Sequence, residues 1–435
     1  MEPLTLGIIV MSIMLIVVVL GMPVAYALLG AGAIGYAILS GPSQALTQIG
    51  IALWDNGTNF LFITVPMFIL MGQLIFHAGL AEDIFTLAQR ATRRLPGGLG
   101  VSTVLASAGF GAVTGSSVAA VATMGNIAVP QMIKRGYTER LASATVASAA
   151  TLAIIIPPSV PLVIYGVWSE TSIGALFIAG IVPGIILTLF YAVTVMVQRS
   201  QYPAASIVAA KVEDEHRRPL SDLAVGLVSI VVIFIVVIGG IYAGAFTPTE
   251  ASGVGVAGVF IIAIISRRMT LAALRAALKE TVRTSAAIFM ILTGGIVLSR
   301  FLVQTRLTDA VVGLISDLNA PPPVILLALA ALYLFLGAIM DTFGMLILTL
   351  PLVLPITIAI GYDPIWTGIY LTVLMEVAML TPPIGLNVFV LERVTGIPAQ
   401  RIFAGVWHFV AASMLMVVLL IFFPEIATWL PNTMR

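Results

Sequence analysis

Apolar runs of roughly 20 residues, the length that crosses a bilayer's hydrocarbon core, recur from Leu4 to near Leu430 between short clusters of charged residues, Pro and Gly. These windows predict spans at about 5–21, 23–41, 59–79, 138–165, 174–197, 221–244, 248–266, 284–303, 364–392 and 402–424. Two further apolar stretches, 99–133 and 323–359, are too long for one crossing and carry small and polar residues at their middles, so each predicts a re-entrant hairpin. Segments Leu80–Leu95 and Thr270–Arg283 set basic residues on one face against Leu, Ala or Phe on the other, the pattern of a helix lying at the cytoplasmic interface. Trp54, Trp168, Trp366 and Trp429 fall near predicted outer ends, where an indole suits the headgroup level.

The basic residues orient this threading. Hairpin 99–133 is preceded by Arg90, Arg93 and Arg94 and followed by Lys134, Arg135 and Arg140, which puts both its ends in the cytoplasm. Hairpin 323–359 is flanked by Asp309, Asp317 and Asp363 and is expected to open to the opposite face. All Lys and Arg residues except Arg300, Arg306 and Arg435 then fall on the cytoplasmic side, and both termini are expected in the periplasm.

A charged loop at 199–220 divides the chain nearly in half, and the halves repeat. Gly136-Tyr137, Pro157-Pro158 and Ala179-Gly180 in the first half match Gly361-Tyr362, Pro382-Pro383 and Ala404-Gly405 in the second at the same separations. An odd number of crossings between the copies makes the repeat inverted. The reading is therefore an all-α integral membrane protein: about ten spanning helices, two re-entrant hairpins and two broken helices. Residues 1–198 form the first repeat, 199–220 a cytoplasmic connecting loop and 221–435 the second repeat.

Composition agrees with a lipid solvent. The chain is 60% hydrophobic and 9% charged, against about 25% charged in soluble proteins, with a mean hydropathy of +1.14. There is no cysteine, which removes disulfides, thiolate metal sites and cysteine nucleophiles. A net charge of +1 implies no nucleic-acid partner. The apolar stretch from Leu4 has no basic region before it and no small-residue cleavage site after it, so a retained helix is expected. The histidines are His77, His216 and His408, and no HExxH or GxSxG is present, so an enzyme is not expected. A channel would have no need of paired, inverted ion sites.

The chemistry lies where the helices break. Proline pairs free backbone groups that lipid cannot satisfy, so such breaks persist where protein, water or a bound ion supplies partners. Pro157-Pro158-Ser159 and Thr381-Pro382-Pro383-Ile384-Gly385-Leu386-Asn387 are two such breaks at corresponding places. The hairpin tips, residues 111–117 and 337–344, add glycines, hydroxyls and the intramembrane carboxylate of Asp341. Candidate substrate-binding residues are Ser116, Ser117, Ser159, Asp341, Thr342 and Asn387. Na⁺ is expected near Thr114, Gly115, Ser116, Pro157 and Ser159, and near Met340, Asp341, Thr381, Pro382 and Gly385, because half-helix C-termini and unwound carbonyls hold cations while half-helix N-termini hold carboxylates. Each tip is expected to face its own proline break. Glu376, six residues before the second break, is read either as a proton or cation site or as a buried structural group; Glu170, Glu250 and Glu392 sit near span ends, solvated or capping.

Gly-Ser-Ser at 115–117, Ile-Pro-Pro-Ser at 156–159, Phe-Thr-Pro-Thr-Glu-Ala at 246–251, Met-Asp at 340–341 and Thr-Pro-Pro-Ile-Gly-Leu-Asn at 381–387 resemble the large membrane subunit of the tripartite ATP-independent periplasmic (TRAP) transporters. The resemblance spans essentially the whole chain. It implies a Na⁺-driven importer of organic acids such as C4-dicarboxylates or sialic acid in the bacterial inner membrane, with an elevator-like transport domain carried by the hairpins and broken helices, and ion sites at the tips and breaks. It further implies a small four-helix membrane subunit on a separate chain, a periplasmic substrate-binding protein, and no organic cofactor. The competing reading is a stand-alone Na⁺/carboxylate symporter of the divalent-anion type, which shares the paired hairpins and needs no partners.

Overall fold

The computed structural model describes residues 2–202, 228, 231–317, 320–383 and 385–433. Within them the chain is helical, without strands. The helices are α1 (Pro3–Val19), α2 (Val24–Ser40), α3 (Pro42–Thr58), α4 (Thr64–His77), α5 (Leu80–Thr92), α6 (Gly98–Thr114), α7 (Ser117–Lys134), α8 (Glu139–Ala149), α9 (Leu152–Ile155), α10 (Val160–Trp168) and α11 (Ile173–Val197). The second half continues with α12 (Val231–Tyr242), α13 (Pro248–Ile265), α14 (Leu271–Gln304), α15 (Leu307–Asp317), α16 (Pro322–Gly337), α17 (Thr342–Ala359), α18 (Pro364–Ala378), α19 (Leu386–Thr395), α20 (Ala399–Phe422) and α21 (Glu425–Asn432). From residue 203 onward the expected connecting loop lies outside the described residues, as do 221–227, 229 and 230 of the span expected at 221–244.

Proline at the first helical positions starts α1, α3, α13, α16 and α18, where its missing N–H is no loss. The Phe-Thr-Pro-Thr-Glu-Ala segment is a complete helix start: Thr247 and Glu250 form a reciprocal capping box, and the Phe246 ring packs on Gly240. Glu392 caps too, accepting from the Ala399 N–H at 2.8 Å.

Both hairpins form: α6 and α7 meet at Gly115-Ser116, α16 and α17 at residues 338–341, and each pair of legs packs together. Both broken helices form as well, α8, α9 and α10 interrupted at Pro157-Pro158, and α18 and α19 at Pro382-Pro383. Among the described residues seven helices are long and apolar enough to cross a bilayer by themselves; α1 and α2 have 17 residues each.

Three elements differ from the sequence reading. The expected interfacial helix at 270–283 and the span at 284–303 are one continuous 34-residue helix, α14, because nothing between them breaks it. Residues 42–58, too polar to read as a span, form α3 between α2 and α14. Trp366 is fully buried, stacked on Tyr370 at 4.8 Å between centroids, and its Nε1–H donates to the Leu420 carbonyl at 3.0 Å; it anchors the core, whereas Trp54 and Trp429 are exposed.

Two bodies of packing stand out. In one, α2 lies against α14 with α1, α3 and α4 around them and α13 on α4. Here Gly32 and Gly294 bring the two backbones together: a Cβ on Gly32 would come 2.7 Å from Leu298 N, and one on Gly294 2.8 Å from Leu29 N. The other holds the hairpins, the broken helices, α11 and α20. Its contacts repeat: Gly111 abuts Ala153, and Gly337 abuts Ala378, each in the matching hairpin and broken helix. The first broken helix is enclosed, its span window within Glu139–Trp168 being 94% buried, and α18 is buried from Trp366 to Ala378, whereas Pro382 and Pro383 of the second break are exposed.

A methyl group on Gly337 would lie 2.3 Å from the Ala378 Cβ and 2.9 Å from its backbone, whereas one on Gly50 meets nothing within 4 Å. Gly337→Ala is therefore expected to cost about 1–3 kcal/mol of overpacking strain, lowering the thermal unfolding midpoint in detergent, with Gly50→Ala unchanged. Equal midpoints for the two variants would contradict this packing of hairpin on broken helix.

Candidate functional site at the helix breaks

The two tips and residues flanking the two proline breaks line one cavity of about 50 Å³. Gly115, Ser116, Ser117 and Val118 come from the first tip; Asp341, Thr342 and Phe343 from the second; Ile154 and Pro161 flank the first break, and Met379 and Leu386 the second. The expectation that each tip faces its own break holds for the first, where Gly115, at φ +58°, leaves room for the Pro158 carbonyl 2.8 Å from where a Cβ would stand. What the sequence did not reveal is that both halves converge on one place.

The register that pairs Pro157 with Pro382 also pairs Ser116 with Asp341. Each is the N-cap of its hairpin's second helix: Ser116 Oγ accepts from the Ala119 N–H at 3.4 Å, and Asp341 Oδ1 from the Gly344 N–H at 3.3 Å. Ser159 caps α10 in the same way, accepting from the Leu162 N–H at 3.4 Å, while its own hydroxyl donates to the Ile154 carbonyl across the break. Helix N-termini begin at Ser117, Val160, Thr342 and Leu386, and helix C-termini end at Thr114, Ile155, Gly337 and Ala378. Backbone N–H ends, which attract anions, and backbone carbonyl ends, which attract cations, thus gather around one small volume.

The remaining predicted residues fall at graded distances from the cavity. Ser117 and Thr342 are buried and line it. Thr114 is buried with its hydroxyl on the Phe110 carbonyl at 3.1 Å, against Gly72 of α4. Met340 and Thr381 are buried beside the second tip and break, the Thr381 hydroxyl donating to the Ala378 carbonyl at 3.2 Å, and Gly385 turns the chain at φ +46°. Pro157 and Pro382 each begin a cis Pro-Pro pair. Asn387 is fully buried but points elsewhere: its Nδ2 donates to the Ala147 carbonyl of α8 at 3.4 Å, tying the second break to the first broken helix. Sequence reasoning missed the apolar lining of Ile154, Pro161, Phe343, Met379 and Leu386, whose only signal was their position beside a break.

A family model described as "Tripartite ATP-independent periplasmic transporter, DctM component" matches residues 11–426. The chain belongs to this DctM family. It is 31% identical to the sialic acid TRAP transporter large permease SiaM of Vibrio cholerae over 95% of each chain. It is 30% identical to the C4-dicarboxylate TRAP transporter large permease DctM of Pseudomonas aeruginosa, over 89% of this chain and 90% of that one. Among solved structures, the YdaH transporter of Alcanivorax borkumensis shares the fold with a TM-score of 0.62 and 13% identity, covering 100% and 99% of the two chains. As a DctM-family member the chain is a multi-pass membrane transporter component and not an enzyme. Membership sets aside the stand-alone divalent-anion symporter.

Asp341 serves two purposes, helix cap and cavity carboxylate, and two substitutions separate them. Asn caps about as well as Asp, whereas Ala forfeits about 0.5–2 kcal/mol. Asp341→Asn is expected to keep wild-type thermal stability and lose uptake; Asp341→Ala is expected to lose both. Full transport by Asp341→Asn would mean that the carboxylate acts only as a cap.

Proposed function

We propose that this chain is the membrane-embedded permease of a Na⁺-coupled importer of organic acids, receiving its substrate from a periplasmic binding protein and working beside a separate small membrane subunit in the bacterial inner membrane. One observation carries this reading: the helix breaks of both halves meet in a single cavity. The N-terminal ends there, with Ser116, Ser117 and Thr342 beside them, suit a substrate carboxylate, and the carbonyl ends, with Asp341, suit Na⁺.

Size supports a moving site. A cavity of about 50 Å³ is far smaller than the roughly 300–1,000 Å³ of pockets that take drug-sized ligands. A dicarboxylate or a sialic acid requires the tips to part from the breaks. The tips belong to the body built from hairpins and broken helices, and that body sliding as a unit against the α2–α14 body accounts for substrate admission from either side, the elevator arrangement. The inverted sense of the repeat follows from the distribution of basic residues.

Uptake should be tested in proteoliposomes holding the chain with its small subunit, with binding protein and a panel of organic acids outside. An inward Na⁺ gradient is expected to drive accumulation, and uptake running equally well on a pH gradient without Na⁺ would refute the coupling.

The inverted arrangement has its own test, favoured by a chain without cysteine. Thr138 and Asp363, exposed at the outer ends of the two hairpins, are replaced singly by cysteine. Thr138→Cys is expected to react only with a reagent that reaches the cytoplasm, and Asp363→Cys with an impermeant reagent added outside; labelling of both from one side sinks the inverted model.

A further inference from the structure

The 34 residues of α14 run about 51 Å at about 1.5 Å each, whereas a bilayer's hydrocarbon core is about 30 Å thick. The apolar residues 284–303 fill that thickness, so Leu271 to Arg283 stand beyond it, at the headgroups. One face of this projecting part is committed to the fold. Ala277, Thr281 and Ser285, four residues apart, are buried, and Ile288 continues their row. Arg275, Lys279 and Arg283 are also four apart, each two residues before a member of the buried row. Two residues are about half a turn of helix, so the basic row lies on the opposite face, and all three side chains are exposed.

None of the three has an ion-pair or hydrogen-bond partner among the described residues, whereas nearby Arg268 is paired with Asp83 at 2.5 Å. A helix face that only meets water mixes charges of both signs. Here the one carboxylate between Leu271 and Arg283 is Glu280, set to the side of the row and partly buried. On the row's other side Leu271, Leu278 and Val282 are exposed too, by 64%, 44% and 67%. Cations bordered by apolar side chains, next to a membrane span, match a molecule that offers negative phosphate and acyl chain side by side.

The repeat shows that the fold does not require these charges. Its register pairs Arg275, Lys279 and Arg283 with Gly50, Trp54 and Thr58 of α3, which are exposed as well. The same frame carries an indole and no cation there, so the basic row serves one face of the membrane.

We propose that the row of Arg275, Lys279 and Arg283 binds the headgroup of an anionic phospholipid, with Leu271, Leu278 and Val282 against its acyl chains, in the leaflet that the basic residues assign to the cytoplasm. A zwitterionic headgroup fits less well, because its ammonium is repelled by the same cations. Since α2 packs along α14, a lipid held there braces the body against which the hairpins and broken helices slide. The binding itself rests on membrane placement and not on Na⁺ coupling.

The full chain with its small subunit is placed in nanodiscs of phosphatidylcholine and phosphatidylglycerol. A fluorophore on Ala286→Cys, exposed one turn past Arg283 in a chain without other cysteine, reads quenching by doxyl-labelled lipid of either headgroup. Doxyl phosphatidylglycerol is expected to quench more than doxyl phosphatidylcholine. Each cation near an anionic headgroup changes affinity about fivefold, so the triple variant Arg275→Gln, Lys279→Gln, Arg283→Gln is expected to raise the half-quenching fraction of phosphatidylglycerol by roughly tenfold or more. Concentrated choline chloride is expected to weaken the wild-type preference, because exposed charges are screened. Should the triple variant fail to assemble, Lys279→Gln alone is expected to raise the half-quenching fraction several-fold. Equal quenching by the two lipids with the row intact overturns the proposal, as does a preference that the variants retain. A triple variant that sheds the small subunit overturns it in favour of a protein partner on this face. No step of the measurement involves transport, so this reading and the Na⁺ coupling fail separately.

Discussion

A helix interrupted inside a membrane leaves backbone N–H and C=O groups that lipid cannot bond, and everything characteristic of this molecule follows from where it puts those groups. The chain breaks at two tips and two proline pairs, and the tips and the residues flanking the pairs line one cavity. Ser116, Ser159 and Asp341 each satisfy one freed amide, the Ser159 hydroxyl also satisfies a freed carbonyl, and other freed groups stand beside the cavity. The groups that would destabilise a lipid-exposed break are thereby the ones available to hold ions and carboxylates. The first broken helix and α18 are correspondingly among the most buried segments.

Enclosure of that kind demands close approach, and glycine supplies it at corresponding points. Gly111 and Gly337 let each hairpin lean on its broken helix, while Gly180 of α11 and Gly405 of α20 both lean on the first broken helix, against the Ile155 and Arg140 carbonyls. Gly32 and Gly294 hold the other body together, and Gly295 of α14 receives Ile347 of the second hairpin where the bodies meet. Packing through small residues and dispersion, in place of hydrophobic exclusion, is how helices associate in lipid.

The two halves share this frame and differ in charge. Where the first half has the hydroxyls of Ser116 and Thr151, the second has the carboxylates of Asp341 and Glu376. Each pair occupies an equivalent position, one at the hairpin tip and one in the broken helix, so the repeat provides a common geometry on which one half carries the carboxyl groups.

Much was legible before any coordinates. Hydropathy marked the spans because lipid imposes length and apolarity on every crossing; the small and polar interruptions marked the hairpins; the proline pairs marked the breaks, since two adjacent prolines remove two consecutive helix donors and clash with the preceding turn. The spacing of Gly-Tyr, Pro-Pro and Ala-Gly exposed the repeat, and Ser116, Asp341 and Ser159 were recognisable as polar residues at breaks. Local pattern could not show that the tips meet across the halves, that Trp366 turns inward to stack on Tyr370, or that α14 runs unbroken from interface to span. Nor could it bring the Tyr191 hydroxyl of α11 to Ser413 of α20 and to Thr151, for each is an ordinary polar residue on its own segment. Sequence determined what each segment had to satisfy in lipid; tertiary packing decided which segments satisfy one another, because hydrogen bonds and charge balance at a buried site depend on distances between residues far apart in the chain.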